Sequence, residues 1–173
     1  RIVDAPDAYL ALASADGSCL EIRAAAGSHP EHLGRRLPLD PPGDNLPALV
    51  FHGREPLVVE DGEDDPRINQ ALRALTGGRG YLGLPLVVRD RTIGSVLIVD
   101  PRGPRLFTPA EVERAAGIAN QLAVAAENAR LYEDLRRSYA DLERAQRRLI
   151  QGERLAALGE MSAVVAHEVR NPL

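Results

Sequence analysis

Over 8–14 the residues are apolar without a break as far as Ser14, the pattern of a strand covered on both faces. Asp16-Gly17 then supplies a turn signal. Over 20–25, Leu20, Ile22 and Ala24 alternate with Glu21 and Arg23, which predicts a half-buried strand. Positions 45–53 predict a short helix ended by Gly53, and Leu57-Val58-Val59 a short strand. Asp65-Pro66 offers an N-cap and a first-turn proline, so a helix is expected from there through Leu75, stopped by Gly77-Gly78. Stretches 81–88 and 92–99 predict a hairpin turning at Arg89-Asp90-Arg91. About five strands and two short helices result, an α+β arrangement.

The texture changes after residue 108: Gly and Pro punctuate everything before it and are almost absent from 109–171. Thr108-Pro109-Ala110-Glu111 reads as a capping box with proline at the first helical position, opening a long helix. Val112, Ala115, Ala116, Ala119, Leu122, Ala123 and Ala126 recur at three- and four-residue steps, a small-residue face suited to close packing. Farther on, Leu135, Leu142 and Leu149 recur every seven residues, as do Tyr132, Tyr139 and Gln146. That is a short a/d seam with Leu at d, and it predicts a parallel homodimer. Glu133–Arg137 and Glu143–Arg147 add i,i+4 pairs in the favourable order. Gln146 and Glu153 at a positions weaken the seam but help fix its register.

Composition bounds the alternatives. The chain has 173 residues, 45% hydrophobic and 27% charged, as in a globular protein with one core. A net charge of −4 gives no reason to expect nucleic acid as a partner. One cysteine, Cys19, precludes an internal disulfide and suits a reducing compartment, so a cytoplasmic setting is expected. No apolar run is long enough to span a membrane. Because the chain opens at Arg1 rather than Met, it is expected to be a piece of a larger parent, whose membrane anchoring is left open.

Three stretches carry a family resemblance: G-R-E-P-L-V-V-E-D (53–61), L-P-L-V-V-R-D-R-T-I-G-S-V-L-I-V-D (84–100) and L-F-T-P-A-E-V-E-R-A-A-G-I-A-N-Q-L-A-V-A-A-E-N-A-R-L-Y (106–132). Residues from about 5 to 135 resemble a GAF domain, related to the PAS fold. A fourth stretch, E-R-L-A-A-L-G-E-M-S-A-V-V-A-H-E-V-R-N-P-L (153–173), resembles the H-box of sensor histidine kinases. The resemblance implies a six-stranded antiparallel sheet with a pocket on one face and helices on the other. Residues 1–108 would form the sensory domain, lacking the family's first helix, with its last helix at 109–131. Residues 132–152 would be a coiled-coil signalling helix and 153–173 the start of a dimerisation and phosphoacceptor helix.

The same resemblance assigns His167 as phosphoacceptor, Glu168 as the base that orients it, and Asn171 as an accessory group. Phosphoryl transfer from ATP needs a neutral imidazole nitrogen aimed at the γ-phosphate, with the other ring nitrogen held. At about 100° per residue, Leu158, Met161, Val165 and Val169 share one face. His167 then lies nearly opposite Val165, with Glu160 and Asn171 beside it, so the acceptor is expected to face solvent. Pro172 ends the helix. A zinc-protease motif is rejected, because H-E-x-x-H needs a second histidine where this chain has Asn171. The parent would use ATP and Mg2+ and pass its phosphoryl group to a response regulator. This chain carries neither a Gly-rich ATP-binding segment nor a second phosphoacceptor helix, so it is expected to be inactive alone and to need no cofactor.

A small-molecule ligand in the sheet pocket is the expected signal. The candidate lining is Leu10, Leu12, Phe51, Ile68, Leu72, Leu75, Tyr81 and Leu84, each of which equally suits a plain core position. No cysteine lies near 65–75 to hold a bilin, and Cys19 reads as an ordinary thiol. His29 and His32, in H-P-E-H, have metal-ligand chemistry, and His52 has haem-ligand chemistry if it faces the pocket. Loop histidines usually bind nothing, so no metal is expected. Asp61–Asp65 reads as a solvated acidic loop. Two other functions fit the same sequence: a non-catalytic GAF dimerisation scaffold, and a haem or metal sensor.

Overall fold

The computed structural model describes residues 3–40 and 45–169, with side chains described as far as residue 152. Its first unit, 1–127, is built on strands β1 (Asp7–Ala13), β2 (Cys19–Ala26), β3 (Arg36–Pro38), β4 (Leu57–Val59), β5 (Gly80–Val88) and β6 (Arg91–Asp100). They form one antiparallel sheet in the order β3-β2-β1-β6-β5-β4. The unbroken apolar run is the central strand β1. The sixth strand, β3, is a three-residue edge strand, too short to give a period-two signal.

Helices α1 (Leu46–Gly53) and α2 (Gln70–Thr76) cover one face of the sheet. Asn45 caps α1 by accepting from the Ala48 amide at 2.9 Å and donates through Nδ2 to Pro38 O at 3.1 Å. The left-handed terminus falls on Arg54 (φ 60°), one residue beyond the glycine expected to end the helix. α2 starts four residues later than Asp65 suggests. Asp65 does close a turn, accepting from the Arg67 amide at 2.9 Å, but extended Asn69 (ψ 163°) breaks it. Asn69 then caps the true helix through the Leu72 amide at 2.8 Å. Gly77 ends α2 in the left-handed region (φ 60°), where glycine carries no Cβ penalty.

The third helix, α3 (Pro109–Val169), spans 61 residues. Its capping box is reciprocal: Thr108 N donates to Glu111 Oε2 at 2.9 Å, and Glu111 N to Thr108 Oγ1 at 3.3 Å. Ala115, Ala119 and Ala123 bury against Leu82, Leu84, Leu86 and Val96 on the opposite face of the sheet from α1 and α2. Residues 128 onward form a second unit. Among the described residues, no helix is long and apolar enough to cross a membrane.

Two cores result, one on each face of the sheet. The first contains Tyr9, Ala11, Leu20, Ile22, Tyr81, Leu97 and Val99 beneath α1 and α2, and the second lies beneath α3. A bulge modifies the pattern in β2. Leu10 pairs with Ala24 but Ala11 with Ile22, leaving Arg23 extra. Beyond it Ala25 packs against the first core and Ala24 is exposed, the reverse of simple alternation. Gly94, in β6 opposite Leu12, marks a close approach, since a Cβ there would collide with the Ala11 carbonyl oxygen. Gly94→Ala is expected to destabilise the fold by about 1–3 kcal/mol, as overpacking does, read as a lowered denaturant midpoint; an unchanged midpoint would contradict the register.

Candidate functional site

The face under α1 and α2 holds a small cavity lined by Tyr9, Ala11, Ile22, Leu37, Pro47, Leu72, Leu75, Thr76, Ser95 and Leu97. Alternation explains the membership. In β1, Tyr9 and Ala11 turn to this side, and in β6, Ser95 and Leu97 do. Of the residues expected to line a pocket, Leu72 and Leu75 do so. Ile68 and Tyr81 belong to the same core without reaching the cavity, and half-buried Phe51 packs at its edge. Leu10, Leu12 and Leu84 lie on the other face with α3, because their strand positions have the opposite parity.

The cavity volume is about 10 Å³, which is close to one water. A small-molecule site commonly needs roughly 300–1,000 Å³, so this conformation is closed, and a ligand would have to displace its apolar walls. Few polar groups face it. Thr76 Oγ1 donates to Leu72 O at 2.9 Å and lies 3.1 Å from the Tyr81 hydroxyl, which itself donates to Gly78 O at 2.9 Å. Tyr9 is different: its hydroxyl is buried with no hydrogen-bond partner. Desolvation, followed by the negative charges of Asp7 and Glu31, pushes its pKa up to about 12.

The loop after β2 adjoins this wall. A 3-10 turn, Pro30–His32, stacks His29 on His32 (5.1 Å between centroids), and His32 packs on the Tyr9 ring at 5.8 Å. His32 is only 5% exposed, which the sequence did not signal in a Pro- and Glu-containing loop. His52 is exposed, 3.3 Å through Nε2 from Leu39 O, and is not part of the cavity lining. Cys19 is buried and unpaired. The 61–65 loop is not simply solvated. Asp61 accepts from Arg79 at 2.7 and 2.6 Å, Glu63 pairs with Arg79 at 2.8 Å, and Asp65 with Arg67 at 2.6 Å. Arg79 holds the Asp61 carboxyl down to about 2.

A second candidate region lies on α3. His167 and Glu168 fall within its helical backbone, while Asn171 lies outside the described residues. On the preceding stretch Leu135, Leu142 and Leu149 are 53%, 56% and 68% exposed, with Tyr132 and Tyr139 also bare. Scattered exposed leucines are ordinary, but a heptad-spaced row is an apolar stripe without a cover in the single chain.

Two measurements bear on the Tyr9 hydroxyl. Tyr9→Phe removes a buried polar group that has no partner, and it is expected to raise unfolding stability by about 1 kcal/mol. A loss of stability would mean that the hydroxyl is satisfied. Because the folded pKa is raised from 10.0 to about 12, the unfolded chain ionises Tyr9 before the folded one does, and stability falls as pH rises from 10 toward 12. Alkaline titration of the unfolding midpoint should show this loss, and Tyr9→Phe should reduce it.

Comparison with known proteins places this architecture. Residues 1–126 match the GAF domain family. Among solved structures, the GAF-B domain of DevS from Mycobacterium smegmatis is 26% identical, with 78% of this chain and 88% of that chain covered and a TM-score of 0.62. A domain assigned to a two-component sensor histidine kinase protein from Sinorhizobium meliloti 1021 is 25% identical with the same coverages and a TM-score of 0.60. The GAF domain of a phosphoenolpyruvate-protein phosphotransferase from Coxiella burnetii shares the fold at 21% identity, covering 75% of this chain and 76% of that chain, with a TM-score of 0.67. No curated protein matches the chain. With its six-stranded sheet, two-sided core and matched residues, the chain belongs to the GAF domain family.

Proposed function

We propose that this chain is the sensory and dimerisation part of a two-component sensor histidine kinase. Residues 1–108 with helix 109–131 sense the signal, 132–152 pair with a second copy, and 153–173 begin the phosphoacceptor domain. In the parent, an imidazole nitrogen of His167 attacks the γ-phosphorus of Mg2+-bound ATP, the bond to the β–γ bridging oxygen breaks, and ADP leaves. Glu168 holds the ring and takes up its proton, and Asn171 assists. The phosphoryl group then passes to an aspartate of a response regulator. The parent would work in the cytoplasm or at its membrane face.

The observation that carries this reading is α3 itself. The helix that packs Ala115, Ala119 and Ala123 on the sheet is assigned as one helix as far as Val169, through His167 and Glu168. A packing change at the sheet therefore has a covalent, helical route toward the acceptor. The similarity to a domain assigned to a sensor histidine kinase supports the same placement. A ligand-free scaffold is the second reading, and the closed cavity of about 10 Å³ favours it.

The test uses the parent extended through its ATP-binding domain, incubated with γ-labelled ATP. Acid-labile label on His167, abolished in His167→Gln, is the expected result. Undiminished labelling of that variant would overturn the assignment.

A further inference from the structure

Two imidazoles and a carboxylate converge at the turn between β2 and β3. His29, Glu31 and His32 bring one ligand atom each to within 4.8 Å of one another. Glu31 Oε1 lies 2.9 Å from His29 Nδ1 and 3.8 Å from His32 Nε2. The convergence comes from the backbone. Side chains three apart eclipse in a 3-10 turn, which sets the two rings nearly parallel at 17°. Pro30 fixes φ between them, and His32 N donates back to His29 O at 3.3 Å.

We propose that His29, Glu31 and His32 form a binding site for a divalent transition metal of the zinc class. Two imidazoles with one carboxylate suit such an ion and leave a coordination position open for water or substrate. Calcium and magnesium prefer all-oxygen sites and are disfavoured. His32 is the buried member of the set: its side chain is 7% exposed, and its Nε2 is the ring atom that comes within 3.8 Å of Glu31. The side chains of His29 and Glu31 are 39% and 61% exposed, so an ion can enter from solvent. Once bound, it would rest against His32, which packs on the Tyr9 wall of the cavity.

Zn2+ titrated calorimetrically into the chelator-stripped protein tests the site, with Co2+ as a spectroscopic probe. One Zn2+ per chain is expected. His29→Gln, at a half-buried position, and Glu31→Gln, at an exposed one, should each weaken it at least about 10- to 100-fold, the loss that even an outer-shell partner brings. His52→Gln should leave the affinity unchanged. Absence of stoichiometric binding, or binding that survives both ligand variants, would overturn the site. Either result is independent of whether His167 accepts phosphate.

Discussion

Side-chain alternation in β1, β5 and β6 makes one sheet serve two cores that share no side chains. Tyr9, Ala11, Tyr81, Leu97 and Val99 belong to the face under α1 and α2, whereas Leu10, Leu12, Leu82, Leu84 and Val96 belong to the face under α3. A register slip of one residue would exchange the two sets. Gly94 guards that register, because only a residue without Cβ fits against the Ala11 carbonyl. The cavity and the first turns of α3, through Ala123, thus lie on opposite faces of the sheet, and the strands between them carry side chains of both cores.

A second coupling runs along the end of β6. Arg105 donates to Asp100 Oδ2 and Glu111 Oε1, both at 2.9 Å, and to the Asp4 carbonyl, while its guanidinium lies 4.8 Å from the Phe107 ring centroid. Arg102 also pairs with Asp100 at 2.7 Å. Arg102 first, then Arg105, holds the Asp100 carboxyl far below the usual carboxylate range. Glu111 serves twice, as the ion-pair partner of Arg105 and as half of the capping box that starts α3. Strand end and helix start are therefore fixed by the same charges. This contribution holds above the ordinary carboxylate pKa and fades as acid protonates Asp100.

Much of this was legible where a pattern has one physical meaning. The run at 8–14 could only be central, Thr108 caps as its residue type suggests, and the 81–99 hairpin lies where alternation places it. The pocket lining was harder to read for a stated reason. In Tyr9-Leu10-Ala11-Leu12 both parities are apolar, so sequence gives the strand without saying which side faces the cavity. Leu10 and Leu12 face α3, while Tyr9 and Ala11 line the cavity. The α2 boundary slipped because two caps, Asp65 and Asn69, stand four residues apart, and only backbone geometry separates a single turn from a helix. The burial of His32 depends on its contact with Tyr9, which lies 23 positions away and leaves no local signal.

The exposed heptad row Leu135, Leu142 and Leu149 is proposed to meet a second copy, which would make α3 an element shared by two GAF domains. Native mass spectrometry of the purified chain at micromolar concentration tests it most directly. The predicted result is a species of two 18.7 kDa chains that reverts to single chains when Leu142 is replaced by Asp. A monomer in the unaltered protein, or a dimer indifferent to Leu142→Asp, would contradict it.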